Sequence, residues 1–165
     1  MTTKIITISR EFGSGGRFIG EMLAKELGFS FYDKELIARV AEKTGFSEKF
    51  IENRREYAPK NSIFSYSFVG RCADYILEDY DNLLRVFVYA DMETKIKRIS
   101  KLYDLTEQKA KEKIVKKEKS RKTFYNYYTD RTWGSVSSYD LCINTGYTGI
   151  DGAVELIKKS LEAKI

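Results

Sequence analysis

The chain has 165 residues, one domain's worth, and its 42% hydrophobic, 14% aromatic and 32% charged residues with a single proline exclude a disordered, collagenous or membrane-spanning class. No histidine is present and the two cysteines, Cys72 and Cys142, stand far apart without C-x-x-C spacing, which removes zinc fingers, histidine-dependent triads and histidine general bases. No apolar run approaches the ~18 residues of a membrane span and the N-terminus lacks the h-region of a signal peptide, so a cytoplasmic protein is expected.

Ile5, Ile6 and Ile8 form a short β-branched run and predict a buried strand. Gly13-Ser14-Gly15-Gly16 follows, and then Phe18, Ile19, Met22, Leu23 and Leu27 recur at helical spacing up to Gly28, where a C-terminal glycine ends a helix. Phe29 to Tyr32 predicts a second short strand. Asp33 is placed to cap a helix that uses Leu36, Ile37, Val40 and Ala41 and stops at Gly45, and Ser47 to cap another through Phe50 and Ile51. Residues 58–68 fit no regular element, apart from apolar alternation at Ile63, Tyr66 and Phe68.

Leu83, Leu84, Val86, Phe87, Val88 and Tyr89 make the clearest buried strand, after which Asp91 caps a helix carrying Ile96, Ile99 and Leu102. Thr106 starts a long basic helix whose inward positions are Ala110 and Ile114. Tyr139, Leu141 and Ile143 alternate like a last strand, and Ile150, Val154, Ile157 and Leu161 give the final helix its stripe. Strands alternating with helices predict a parallel α/β sheet covered on both faces.

The net charge of +5 is unevenly placed. Between Lys109 and Arg131 nine Lys/Arg face three acidic residues, so that segment is +6 and the remainder is −1. Beside Phe124, Tyr125, Tyr127, Tyr128 and Trp133, such a stretch should contact phosphates of a small ligand or of nucleic acid; a solvated helix face is the alternative.

A loop between a first strand and a first helix can aim backbone N–H groups at phosphate, with the helix dipole adding attraction. The full phosphate-loop pattern, G-x-x-x-x-G-K-[ST], adds a lysine for the β/γ phosphates and a hydroxyl for Mg²⁺. Arg10-Glu11-Phe12-Gly13-Ser14-Gly15-Gly16-Arg17-Phe18 has the central glycines but no lysine and no Ser/Thr in the expected places. Arg10 and Arg17 flank it, and guanidinium groups suit phosphate oxygens.

Ile6-Thr7-Ile8-Ser9-Arg10-Glu11-Phe12-Gly13-Ser14-Gly15-Gly16-Arg17, Phe31-Tyr32-Asp33-Lys34-Glu35-Leu36 and Val69-Gly70-Arg71-Cys72-Ala73-Asp74-Tyr75-Ile76-Leu77 resemble the cytidylate-kinase-like family. So do Tyr125-x-Tyr127-Tyr128-Thr129 with Trp133-Gly134, and Tyr139-Asp140-Leu141-Cys142-Ile143-Asn144-Thr145. The resemblance covers most of the chain. It implies an α/β, P-loop NTPase-like three-layer sandwich, with a parallel sheet flanked by helices and a helical lid. It also implies transfer of the γ-phosphoryl of ATP, with Mg²⁺, to CMP or dCMP. Two alternatives stand beside that reading: a kinase of the same fold with another small acceptor, and a non-catalytic nucleotide- or nucleic-acid-binding module.

On the family register Arg10, Gly13, Ser14, Gly15, Gly16 and Arg17 form the donor-phosphate loop. Gly16 falls on the usual phosphate lysine, Phe18 on the usual Mg²⁺-linked hydroxyl, and Arg17 is expected to supply the lost charge, with Ser9 or Ser14 as replacement hydroxyls. Arg71, after Gly70, matches the arginine that holds the pyrimidine nucleotide, while Asp33 and Arg39 match acceptor-site positions. Residues 106–134 correspond to the lid, whose Arg121 and Arg131 are the cations expected at the transferring phosphoryl. The family usually carries several tens of residues between the Asn61-Ser62 region and Gly70-Arg71. Here Phe68 runs into Val69, so a shortened acceptor-binding region over 31–68, or a discontinuity between Asn61 and Val69, is expected within a single kinase-like domain spanning 1–165.

Overall fold

Ile5, Ile6, Thr7, Ile8 and Ser9 are all buried, as in a strand covered on both faces. They belong to β1 (Ile5–Arg10), the middle strand of a five-stranded parallel sheet of order β2-β3-β1-β4-β5. The structure is a computed structural model that describes residues 4–33, 66–69 and 72–163. The other strands are β2 (Ser30–Asp33), β3 (Tyr66–Val69), β4 (Leu83–Tyr89) and β5 (Leu141–Asn144). Ile5 registers with Tyr66 on one side and Leu83 on the other, so the carboxyl ends of β1, β3 and β4 share one edge.

Side-chain alternation divides the core between the two faces. Ile6, Ile8, Leu84, Val86, Val88 and Ile143 pack against α1 (Gly16–Leu27) and α5 (Thr145–Ala163) through Ile19, Leu23, Val154, Ile157 and Leu161. On the opposite face Ile5 and Leu83 meet Cys72, Ala73 and Leu77, around the short α2 (Ala73–Ile76), and Tyr125 from α4 (Glu107–Tyr128). A third cluster lies outside the sheet, where Ile99 of α3 (Met92–Tyr103) meets Ala110 and Ile114 of α4, with Phe12 packed beside them.

The cap residues act as their chemistry predicts. Gly28 closes α1 in the left-handed conformation, and the side chains of Asp91 and Thr106 accept from Thr94 N and Lys109 N to open α3 and α4. Four details differ from the sequence reading. Phe18 and Leu102 are exposed, because their helices turn those positions outside the buried stripe. Residues 66–69 form a strand, paired on both sides, although the stretch had no clear period. Tyr139 is buried just ahead of β5 rather than in it, and α5 is interrupted at Gly149 (φ 68°, ψ 179°). The helices expected after Asp33 and after Ser47 lie outside the described residues, as does 61–65. Residues 66–69 themselves run as consecutive strand positions.

The α3–α4 pair is held mainly by its own small cluster. Ile114→Ala should therefore cost about 2–5 kcal/mol of local stability. Amide exchange should quicken across 92–116 while β1 and β4 stay protected, measured by hydrogen exchange with mass spectrometry.

Candidate functional site

The loop between β1 and α1 stands at the carboxyl edge of the sheet. The connection after β1 runs toward β2 and that after β4 toward β5, in opposite directions, the place where open α/β sheets bind ligands. Gly13 and Gly15 both have φ near +87°, the left-handed conformation that lets the loop wrap the first turn of α1. Ser14, fully buried, donates its hydroxyl to Glu11 O (2.8 Å). The Thr145 hydroxyl donates to Ser14 O (2.6 Å) and accepts from Arg98 Nη1 (2.8 Å). Arg98 Nη2 donates to Thr145 O (3.0 Å) and Nη1 lies 3.4 Å from Gly13 O, which ties the loop to α3 and to the start of α5. Burial pulls the Arg98 pKa down while Asp91 raises it.

Lys95, only 4% exposed, is the centre of the site's electrostatics. Its ammonium donates to Glu11 (2.9 Å) in the loop and to Glu118 (2.7 Å) on α4. Burial lowers the Lys95 pKa, but hydrogen bonds to Glu118 and Glu11 outweigh it and the net shift is upward. Burial likewise raises the Glu118 pKa, by more than Lys95 lowers it. One turn beyond Glu118, Arg121 Nη1 donates to Arg10 O (2.8 Å) and its guanidinium lies 5.4 Å from the Phe12 ring centroid. Ala110, Ile114, Glu118, Arg121 and Tyr125 share one face of α4, so its stripe changes from apolar to ionic where it crosses the loop. Lys109, Lys111, Lys116, Lys117, Lys119 and Lys122 lie on exposed positions of the same helix.

Behind the loop is a buried polar cluster. Asp74, with no solvent exposure, accepts from Ser9 Oγ (3.2 Å) and from the Tyr125 hydroxyl (2.7 Å). Burial raises the Asp74 carboxyl, against the lowering effect of Tyr125, Ser9 and Arg131. Burial and the Asp74 charge push the Tyr125 phenol up strongly, and the same causes, in the same order, bring Tyr139 up to about 12. The Tyr139 hydroxyl is buried beside Ser9 and Tyr125 but makes no hydrogen bond of good geometry. Beside this cluster an open cavity of about 400 Å³ is lined by Glu11, Phe87, Tyr89, Lys122, Trp133 and Cys142, among others.

The profile of the cytidylate kinase-like family matches residues 5–69 and 63–147. The chain belongs to that family. A cytidylate kinase from Thermococcus kodakarensis is 28% identical, over 96% of this chain and 88% of its own length. The crystal structure of an uncharacterized protein from Eubacterium ventriosum is 34% identical, with a TM-score of 0.90 over 98% of this chain and 100% of that one. A shikimate kinase from Acinetobacter baumannii, solved with shikimate, superposes with a TM-score of 0.57 at 18% identity and shares the fold, a P-loop NTPase-like α/β sandwich.

Against the cytidylate kinase-like pattern, the structure brings together Arg10, Gly13, Ser14, Gly15, Gly16 and Arg121. Arg17 faces outward, its side chain 54% exposed and paired with Glu21 (3.1 Å). Arg131 lies over α2, where it pairs with Glu78 and stands 5.2 Å from the Tyr75 ring centroid. Asp33 ends β2, level with Val69 of β3. Arg39 and Arg71 lie outside the described residues. Ser9 and Ser14 donate to Asp74 and Glu11 O respectively. Glu11, Lys95, Arg98, Glu118 and Thr145 were not singled out from the sequence. Lys95 carried a usable signal: it precedes Ile99 by one helical turn on the buried stripe, where a charge requires a partner.

Lys95→Ala would leave the half-buried Glu11 and Glu118 carboxylates facing each other without their cation and should cost about 2–3 kcal/mol in urea unfolding. Part of that loss should return as the pH is lowered through the raised pKa of Glu118, because protonation removes the repulsion. The two tyrosines should respond oppositely. Tyr125→Phe takes a hydrogen bond from buried Asp74 and should cost about 1.5–3 kcal/mol, whereas Tyr139→Phe removes an unpaired hydroxyl and should be neutral or gain about 1 kcal/mol. Because the folded protein holds the Tyr139 proton above the unfolded value near 10, ionisation costs wild type nothing below pH 10 and lowers its stability as the pH rises toward about 12, a loss that phenylalanine cannot show. Alkaline unfolding curves of Tyr139→Phe should accordingly be flatter than wild type over that interval.

Proposed function

We propose that the protein is a nucleoside monophosphate kinase that moves the γ-phosphoryl of ATP to CMP or dCMP. The observation that carries this reading is the seating of Arg121, from the basic helix, on the carbonyl of Arg10 in the glycine loop. It puts a cation-bearing helix against the loop expected to hold donor phosphates. Family membership and the cytidylate kinase name of the Thermococcus kodakarensis relative support the acceptor class.

In this reading, backbone N–H groups of Gly13 to Gly16 and the start of α1 bind the donor phosphates. An acceptor phosphate oxygen attacks the γ-phosphorus as the bond to the β–γ bridging oxygen breaks, and ADP leaves. The protein's part is alignment and charge stabilisation, with Arg121 beside the loop, Arg131 at the end of the helical lid, and Arg71, Asp33 and Arg39 on the acceptor side. Mg²⁺ would arrive with ATP and screen its phosphate oxygens. The family profile matches in two stretches that share residues 63–69, which supports an acceptor-binding region shortened within 31–68.

The test is ADP release from ATP-Mg²⁺ across a panel of nucleoside monophosphates. CMP or dCMP should stimulate it and yield the diphosphate. ATP binding without turnover of any acceptor would remove the kinase reading. Oligonucleotide binding that weakens steeply with salt would place the exposed lysines of α4 in a nucleic-acid surface instead.

A further inference from the structure

We propose that Arg10 supplies the cation that a phosphate-binding loop ordinarily takes from a lysine at the position of Gly16, the two side chains being alternatives for one volume. A Cβ built on Gly16 would stand 2.6 Å from Arg10 Cβ, 2.8 Å from its Cγ and 3.5 Å from its Cδ. The first two separations are closer than non-bonded carbons approach, and the third is ordinary contact. The aliphatic stem of Arg10 therefore lies across the first residue of α1. While residue 10 carries a side chain, residue 16 has no room for one unless the backbone shifts. The missing lysine and the extra arginine are one change, made at two positions six residues apart.

The neighbouring cations hold the loop and its helices in place. Lys95 bridges Glu11 and Glu118, Arg98 joins Thr145 to the loop, and Arg17 turns outward to Glu21. Arg121 instead fixes the backbone of Arg10 by donating to its carbonyl, so the guanidinium of Arg10 departs from an anchored main chain. That guanidinium is planar and permanently charged, and it can grip two phosphate oxygens at once where a lysine offers a point charge. The ligand implied at this position is the polyphosphate of the donor nucleotide. The inference rests on the donor-site reading above, but its steric half is independent of it.

Two measurements test it. ATP-Mg²⁺ affinity is read by isothermal titration calorimetry for wild type and Arg10→Met, which keeps the stem and removes the charge. Binding by the variant should be about 10- to 100-fold weaker, from the loss of a hydrogen-bonded charge. Thermal melting then compares Gly16→Lys with Arg10→Gly/Gly16→Lys, since only glycine at position 10 also removes the Cβ that stands 2.6 Å away. The single variant should melt well below wild type, and the double variant should recover both its melting temperature and part of the ATP affinity. Equal ATP affinity in wild type and Arg10→Met overturns the inference and leaves the kinase reading standing. Wild type that binds no ATP overturns both. Gly16→Lys that melts like wild type overturns the shared-volume argument whatever the binding result.

Discussion

Three segments distant in sequence are held in register by one buried ammonium. Lys95 of α3 lies between Glu11 of the glycine loop and Glu118 of the basic helix, and the amide of Ala90, at the end of β4, also donates to Glu11 (3.3 Å). Such a group adds little net stability, because desolvating two carboxylates and an ammonium offsets most of their attraction. It does restrict the alternatives. A one-residue rotation of α4 would remove Glu118 from Lys95 and Arg121 from Arg10 O together, so this helix can approach the loop in only one register.

That restriction explains why α4 can be so polar and still be placed. Its apolar contribution is small: Ala110 and Ile114 against α3, and Tyr125 against the sheet. Between them the buried stripe is occupied by Glu118, paired with Lys95 of α3, and Arg121, which donates to Arg10 O in the loop. The exposed face keeps its lysines, and the helix thus carries an excess of positive charge up to the mouth of the site without burying it.

The glycine loop is fixed from three directions: Thr145 from the start of α5, Arg98 and Lys95 from α3, and Arg121 from α4. A loop held this way has its backbone donors arranged before any ligand arrives, which reduces the reorganisation that binding would otherwise require. Asp74, Ser9 and Tyr125 extend the polar structure beneath the same edge. Buried carboxylates and unpaired hydroxyls are costly in a core. Here they lie directly behind the loop, where departures from simple apolar packing accompany function.

How much of this was legible in the chain depends on the range of the forces involved. Strands β1, β4 and β5, the helix caps at Asp91 and Thr106, the Gly28 stop and the glycine loop follow from local period and backbone chemistry, and they appear in sequence order. The family pattern across Ile6–Arg17 and Tyr139–Thr145 added the nucleotide-kinase class. β3 left only a brief apolar alternation at Tyr66 and Phe68, because a four-residue strand is defined by pairing with β1 and β2 on either side. Lys95, Arg98 and Thr145 were equally hidden: nothing local distinguishes a lysine that snorkels to solvent from one enclosed by carboxylates 84 and 23 residues away. The glycine at position 16 read as a deficit beside the phosphate-loop pattern. Only the folded backbone brings Arg10 against it, because a strand, a turn and a helix start must all be in place before those two residues meet.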